Sequence, residues 1–115
     1  MAVTVDLNET QHRYEIAVDG DLAGFTAFKD RAQQRIFYHT EVFPQFGGRG
    51  LASELVEQAL TDVRARGLRA VPVCPLVAGF LSKHSAFADI ADPVTRDVLT
   101  FLRRAGADPE GTAAH

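Results

Sequence analysis

The chain has 115 residues, 46% of them apolar and 23% charged, and its 12 Lys and Arg against 15 Asp and Glu leave a net charge of −3. This is the size and composition of one folded domain, which excludes wholesale disorder, and a mildly acidic chain lacks the dense basic footprint of a nucleic-acid binder. A single Cys excludes an intramolecular disulfide and a multi-cysteine metal centre. The first six residues lack a basic stretch followed by an apolar core, so no signal peptide is expected. The longest apolar run, residues 70–81, holds Pro72 and Pro75 and is shorter than the roughly 20 residues of a membrane span. These features predict a cytoplasmic protein of one domain, residues 1–105, bound neither to nucleic acid nor to a membrane. The small and polar residues 106–115 read as a flexible tail.

Three strand-like stretches come first, at residues 3–7, 14–18 and 22–28. Asp19-Gly20 separates the last two. This pair supplies the positive φ angles of a tight hairpin, so these strands should pair antiparallel. Residues 29–34 are polar and read as a second turn. Residues 35–43 form the best strand. Strict alternation there puts Ile36, Tyr38, Thr40 and Val42 on one side and Phe37, His39, Glu41 and Phe43 on the other. Pro44 ends it. A glycine-rich loop with Gly47, Gly48 and Gly50 follows.

Leu51, Ala52, Leu55, Val56, Ala59, Leu60 and Val63 recur at helical spacing, so residues 51–66 should form an amphipathic helix. Arg64 and Arg66 suit its C-terminal dipole, and Gly67 suits the position just beyond it. Residues 68–74 then read as a strand. Strand, loop, helix and strand together suggest a parallel βαβ crossover. A short helix should follow Pro75 and run to His84. Asp92-Pro93 looks like an N-cap and first turn for a last helix ending near Arg104.

The loop at 47–50 lies between a strand and a long helix. Glycines let backbone amides approach a ligand, and the first N–H groups of a helix point outward at its positive end, where a phosphate is stabilised. Arg49 adds a positive charge. The P-loop pattern is absent, and Ser53 replaces the third glycine of a dinucleotide fingerprint. A glycine turn that merely tightens the strand–helix connection explains the same residues.

The stretch from Val42 and Phe43 through Gly47-Gly48-Arg49-Gly50-Leu51-Ala52 to Leu55 resembles the acetyl-CoA loop of the GNAT acetyltransferase superfamily. Gly50 and Ala52 match the last two fixed positions, while Gly47 stands where Gln or Arg is usual. His39-Thr40-Glu41-Val42 and Val71-Pro72-Val73-Cys74-Pro75 are similar to a small, minimal subgroup of that superfamily. The resemblance implies a mixed α/β sheet with N-terminal antiparallel strands, a βαβ crossover between splayed strands, and C-terminal helices. It implies that Val42, Phe43 and residues 47–52 bind acetyl-CoA, whose acetyl group passes to a small-molecule or protein amine. Oligomeric state stays open.

An amine acceptor with a pKa of ~10 must lose a proton at neutral pH. His39 and Glu41 point the same way from one strand and are the candidate bases. An exposed polar face is the alternative for both. Phe37 and Phe43 beside them suggest partial burial, which would raise a carboxyl pKa. Backbone amides at the strand end would meet the oxyanion. The thiolate-protonating Tyr usual in the family falls on Ser82. Cys74, just before a helix, is the candidate substitute, as an acid for the CoA thiolate or as a nucleophile that takes the acetyl group first. A small buried hydrophobe is its other reading. His84 reads as a partner of the helix C-terminus. His39 and Glu41 lack a third ligand at convincing spacing, so no metal is expected. A non-catalytic CoA-binding or protein-interaction module on the same fold is the competing function.

Overall fold

A computed structural model describes residues 2–107. The strands are β1 (Val3–Asn8), β2 (Arg13–Val18), β3 (Asp21–Arg31), β4 (Gln34–Val42) and β5 (Arg69–Pro72). The α-helices are α1 (Leu51–Ala65), α2 (Pro75–Lys83) and α3 (Arg96–Arg104), with 3-10 turns at Pro44–Phe46 and Ser85–Ile90. The strands form one sheet in the order β1-β2-β3-β4-β5. The first four pair antiparallel, and β5 pairs parallel to β4. This is the mixed α/β fold expected, with α1 as the crossover between its two parallel strands.

Local chemistry accounts for most of the elements. Asp19 (φ 50°) and Gly20 (φ 88°) make the two-residue turn between β2 and β3, both left-handed as the hairpin twist requires. The α1 stripe of Leu51, Leu55, Val56, Ala59, Leu60 and Val63 is buried against Tyr14, Ile16, Phe28 and Phe37 of the sheet. Gly67 ends the helix with φ 70°. On the opposite face, Val98 and Leu102 of α3 pack on Ile36 and Val71. The sheet is thus covered on both sides where β4 and β5 meet, and Ile36, Phe37, Ala70 and Val71 are buried there.

Three expectations need correction. The second turn is shorter than residues 29–34. Lys29, Asp30 and Arg31 pair with Ile36, Arg35 and Gln34, leaving Ala32 (φ 54°) and Gln33 as the turn. Asp30 is held in the strand by a two-pronged bond from Arg35 at 2.8 and 2.9 Å. Asp92 does not cap α3. Gln34 Nε2 (2.9 Å) and Arg69 Nε donate to its carboxylate, and its own N–H bonds the Ala70 carbonyl. Thr95 is the cap, its hydroxyl accepting from the Val98 N–H at 3.2 Å. The tail from residue 106 lies mostly outside the described residues, but Gly106 and Ala107 close α3. The Ala107 N–H bonds the Leu102 carbonyl at 2.8 Å, and its side chain is buried.

Candidate functional site

The site is built where β4 loses a neighbour. Residues 34–37 pair with residues 69–72 of β5. Beyond Phe37, β4 runs on to Val42 beside β3 alone. The Cys74 N–H still reaches the Phe37 carbonyl at 2.8 Å. Pro75 then turns the chain into α2, with Cys74 as its N-cap residue. Parallel pairing therefore stops halfway along β4.

A bulge marks the same place. Ala27 of β3 pairs with His39 and Phe28 pairs with Phe37, so Tyr38 has no opposite residue. One extra residue reverses the alternation beyond it. Phe37 joins the α1 core, while Tyr38 packs on the α3 side beside Ile36. His39 and Glu41 project outward, and Thr40 and Val42 inward.

The expectation that Phe37 helps to bury His39 and Glu41 therefore fails. The two side chains are 51% and 49% exposed, with His39 Nε2 at 3.3 Å from Glu41 Oε1. Phe25 and Phe43 are their aromatic neighbours, with ring centroids 5.8 Å between Phe25 and His39 and 6.4 Å between Phe25 and Phe43.

Cys74 lies on the inner side. The residue is 5% exposed, its thiol donates to Thr40 Oγ1 at 3.3 Å, and the Thr40 hydroxyl is 2.8 Å from that of the fully buried Thr26. The structure thus divides the three candidate catalytic residues. His39 and Glu41 share the outer face of β4, and Cys74 faces its inner edge. Ser82, which the sequence resemblance sets at the Tyr position, spends its hydroxyl on the Gly79 carbonyl at 2.9 Å. His84 stacks on Phe80 at 4.0 Å between ring centroids.

The loop after β4 has the openness an anion seat needs. The Phe43 N–H bonds the Ala23 carbonyl at 2.8 Å and fixes the strand end. Gly47 has an ordinary φ of −66°, whereas Gly48 (φ 78°) and Gly50 (φ 70°) are left-handed, where a side chain would be strained. Gly50 is the N-cap of α1 and offers no side-chain cap to its first-turn amides. The Arg49 guanidinium lies 5.6 Å from the Phe46 ring centroid. Leu51 points into the core, so only its backbone is available outside.

Beside this helix start is a cavity of about 260 Å³. Ala52 and Ser53 of α1 line one wall, and Leu76, Gly79, Phe80 and Lys83 of α2, with His84, line the other. A Cβ on Gly79 would meet nothing within 4 Å, so this glycine leaves the groove wide. Gly79, Lys83 and Thr40 were not among the sequence candidates. The spacing 76, 79, 80, 83 is a helical stripe that carries both a gap and a cation, and it could have pointed to the groove.

The family model described as GCN5-related N-acetyl-transferase matches residues 13–90, from the start of β2 to the end of the second 3-10 turn. The chain belongs to this family. Two solved members of the same architecture place its fold. A GCN5-like protein of Staphylococcus aureus, solved in solution by NMR, superposes with a TM-score of 0.62 at 16% identity, over 81% of this chain and 91% of that one. The ribosomal-protein-S18-alanine N-acetyltransferase of Escherichia coli superposes with a TM-score of 0.52 at 14% identity, over 62% of this chain and 49% of that one. At such identities the likeness is one of fold. No curated protein matches the chain. In the chain, the loop at 47–50 leads into α1, and α2, which starts at Pro75 beside the parting of β4 from β5, walls the groove with it.

Proposed function

We propose that the protein transfers an acetyl group from acetyl-CoA to a primary amine. The observation that carries this reading is the uncapped start of α1 behind two left-handed glycines, opening onto the α1–α2 groove. The backbone amides of residues 47–52 would hold the diphosphate of CoA, favoured by the helix dipole. Val42 and Phe43 would flank the thioester arm where β4 stands without β5. Lys83 adds a cation at the far wall of the groove.

The chain's own residues then have separable tasks. The Glu41 carboxylate or the His39 imidazole takes the proton that the attacking ammonium must lose, from the outer face of β4. A C–N bond forms and the C–S bond breaks. The Cys74 S–H, which now donates to Thr40, supplies a proton to the departing sulfur from the inner side, and the Cys74 thiolate regains a proton through solvent as the new amide nitrogen sheds its second one. The acceptor approaches from the outer face, so the gap beyond residues 37 and 72 is the passage between the two groups. This is direct transfer. A stable acetyl adduct on Cys74 in intact-protein mass spectrometry would show the two-step route instead.

Calorimetry with CoA tests the seat. Saturable binding is expected for the native chain, with loss of at least tenfold in affinity for Gly50→Val, whose native φ a β-branched residue does not tolerate. No heat with millimolar CoA would overturn the reading. Binding without acetylation of any amine would leave a CoA-binding module.

A further inference from the structure

The outer face of β2, β3 and β4 carries a second cavity, of about 250 Å³, lined by Gln11, Arg13, Phe25, Ala27, Tyr38 and His39. Strand register explains it. Arg13 pairs with Ala27, and Ala27 pairs with His39, so the three lie in one row across the sheet. The next row is Glu15, Phe25 and Glu41. Ala27 is the small residue at the centre, and the pit is the space its methyl group leaves between Arg13 and His39.

Arg13 is held in place with hydrogen-bonding capacity that the fold does not use up. Its Nε donates to Glu15 Oε2 at 2.7 Å, and Glu15 is itself fixed by Asn8 Nδ2 at 3.0 Å. Its guanidinium lies 4.5 Å from the Phe25 ring centroid. Among the described residues, its two terminal nitrogens have no hydrogen-bond partner. A planar guanidinium clamped by one carboxylate and one ring, with its fork open beside a pit, is suited to a second carboxylate. At the other end of the row, the exposed Glu41 stands beside His39 and would attract a cation. Two strand spacings, roughly 10 Å, separate the Arg13 and His39 backbones.

Resting on the acetyltransferase reading, we infer that the acceptor is a small zwitterion, a primary amine with a carboxylate a few bonds away, such as an amino acid or dipeptide. Its amine sits at His39 and Glu41, beside the gap between β4 and β5, and its carboxylate sits on the Arg13 fork across Ala27. A protein amine whose nearest carboxylate is distant lacks the second contact.

The test compares free acids with their carboxamides: β-alanine, lysine and glycylglycine, each against its amide. Acetyl-CoA affinity is measured by calorimetry on the same samples. The native chain should acetylate at least one free acid with kcat/KM at least tenfold above its amide. Arg13→Gln should bring that ratio toward one, and Ala27→Leu, which fills the pit from its floor, should lower turnover of the acid at least tenfold. Both variants should keep the native acetyl-CoA affinity, which also reports that they are folded. Equal turnover of every acid and amide, or an acid preference that survives Arg13→Gln, overturns the acceptor class and leaves the transferase reading standing. Absence of acetyl-CoA binding by the native chain overturns both.

Discussion

The two halves of β4 share one strand and one antiparallel partner, and differ in what lies on the other side. Residues 34–37 have β5 beside them and helices over both faces, and Arg35, Ile36 and Phe37 are buried. Residues 38–42 have β3 alone, and their exposure alternates between half-buried and open. The first half therefore contributes stability, and the second leaves side chains and backbone without a second strand to cover them. The bulge at Tyr38 is the seam, because it changes which face each side chain meets at the point where the second neighbour is lost.

The largest effect should come from the buried half. Phe37→Ala removes a fully buried ring packed against Tyr14 and Phe28, and should cost about 3–5 kcal/mol in urea unfolding. His39→Ala, two residues along, should stay within about 0.5 kcal/mol. Comparable losses for both would break the division. Gly24→Ala comes next. Gly24 pairs with Val42, and a Cβ there would lie 2.4 Å from the Glu41 carbonyl oxygen, so β3 and β4 must part locally. We expect a loss of about 1–3 kcal/mol, with hydrogen-exchange protection falling at the Phe43 amide and persisting at Ile36.

The smallest effect concerns Asp92, which clamps Gln34 of β4 to Arg69 of β5. The hydrogen bond from Gln34 holds its carboxyl below the usual range, and the Arg69 bond and charge add to this against the opposing effect of burial. A depressed folded pKa means that the ionised form stabilises the fold above the ordinary value of about 3.9, and that this is lost as pH falls through the folded value. Asp92→Asn should therefore cost about 1 kcal/mol at pH 7, and the difference from native should vanish in acid below the ordinary carboxyl range. A penalty independent of pH would assign the clamp to shape rather than charge.

Much of this was legible in the chain itself. The α1 stripe, the Asp19-Gly20 hairpin, the glycine loop and the residues at the β4 end are local signals, each written within a few positions by periodicity or by backbone permissiveness. The tail of strict alternation misled at Tyr38, because a bulge depends on the register of β3, and Ala27 and Phe28 say nothing of it locally. Asp92-Pro93 misled for a similar reason. A cap residue bonds its own helix only when no distant donor competes, and Gln34 and Arg69 compete from two strands. The Arg13 fork was silent in sequence because its row exists only across three strands.

Composition and spacing alone thus determined the order of elements, the buried face of α1 and the presence of an open helix start, since these follow from interactions between residues near in the chain. Tertiary structure alone decided that His39 and Glu41 face away from Cys74, that α2 walls a groove beside that helix start, and that a pit opens over Ala27. Those outcomes depend on which strands meet and in what register, and register is set by the packing of segments far apart in sequence.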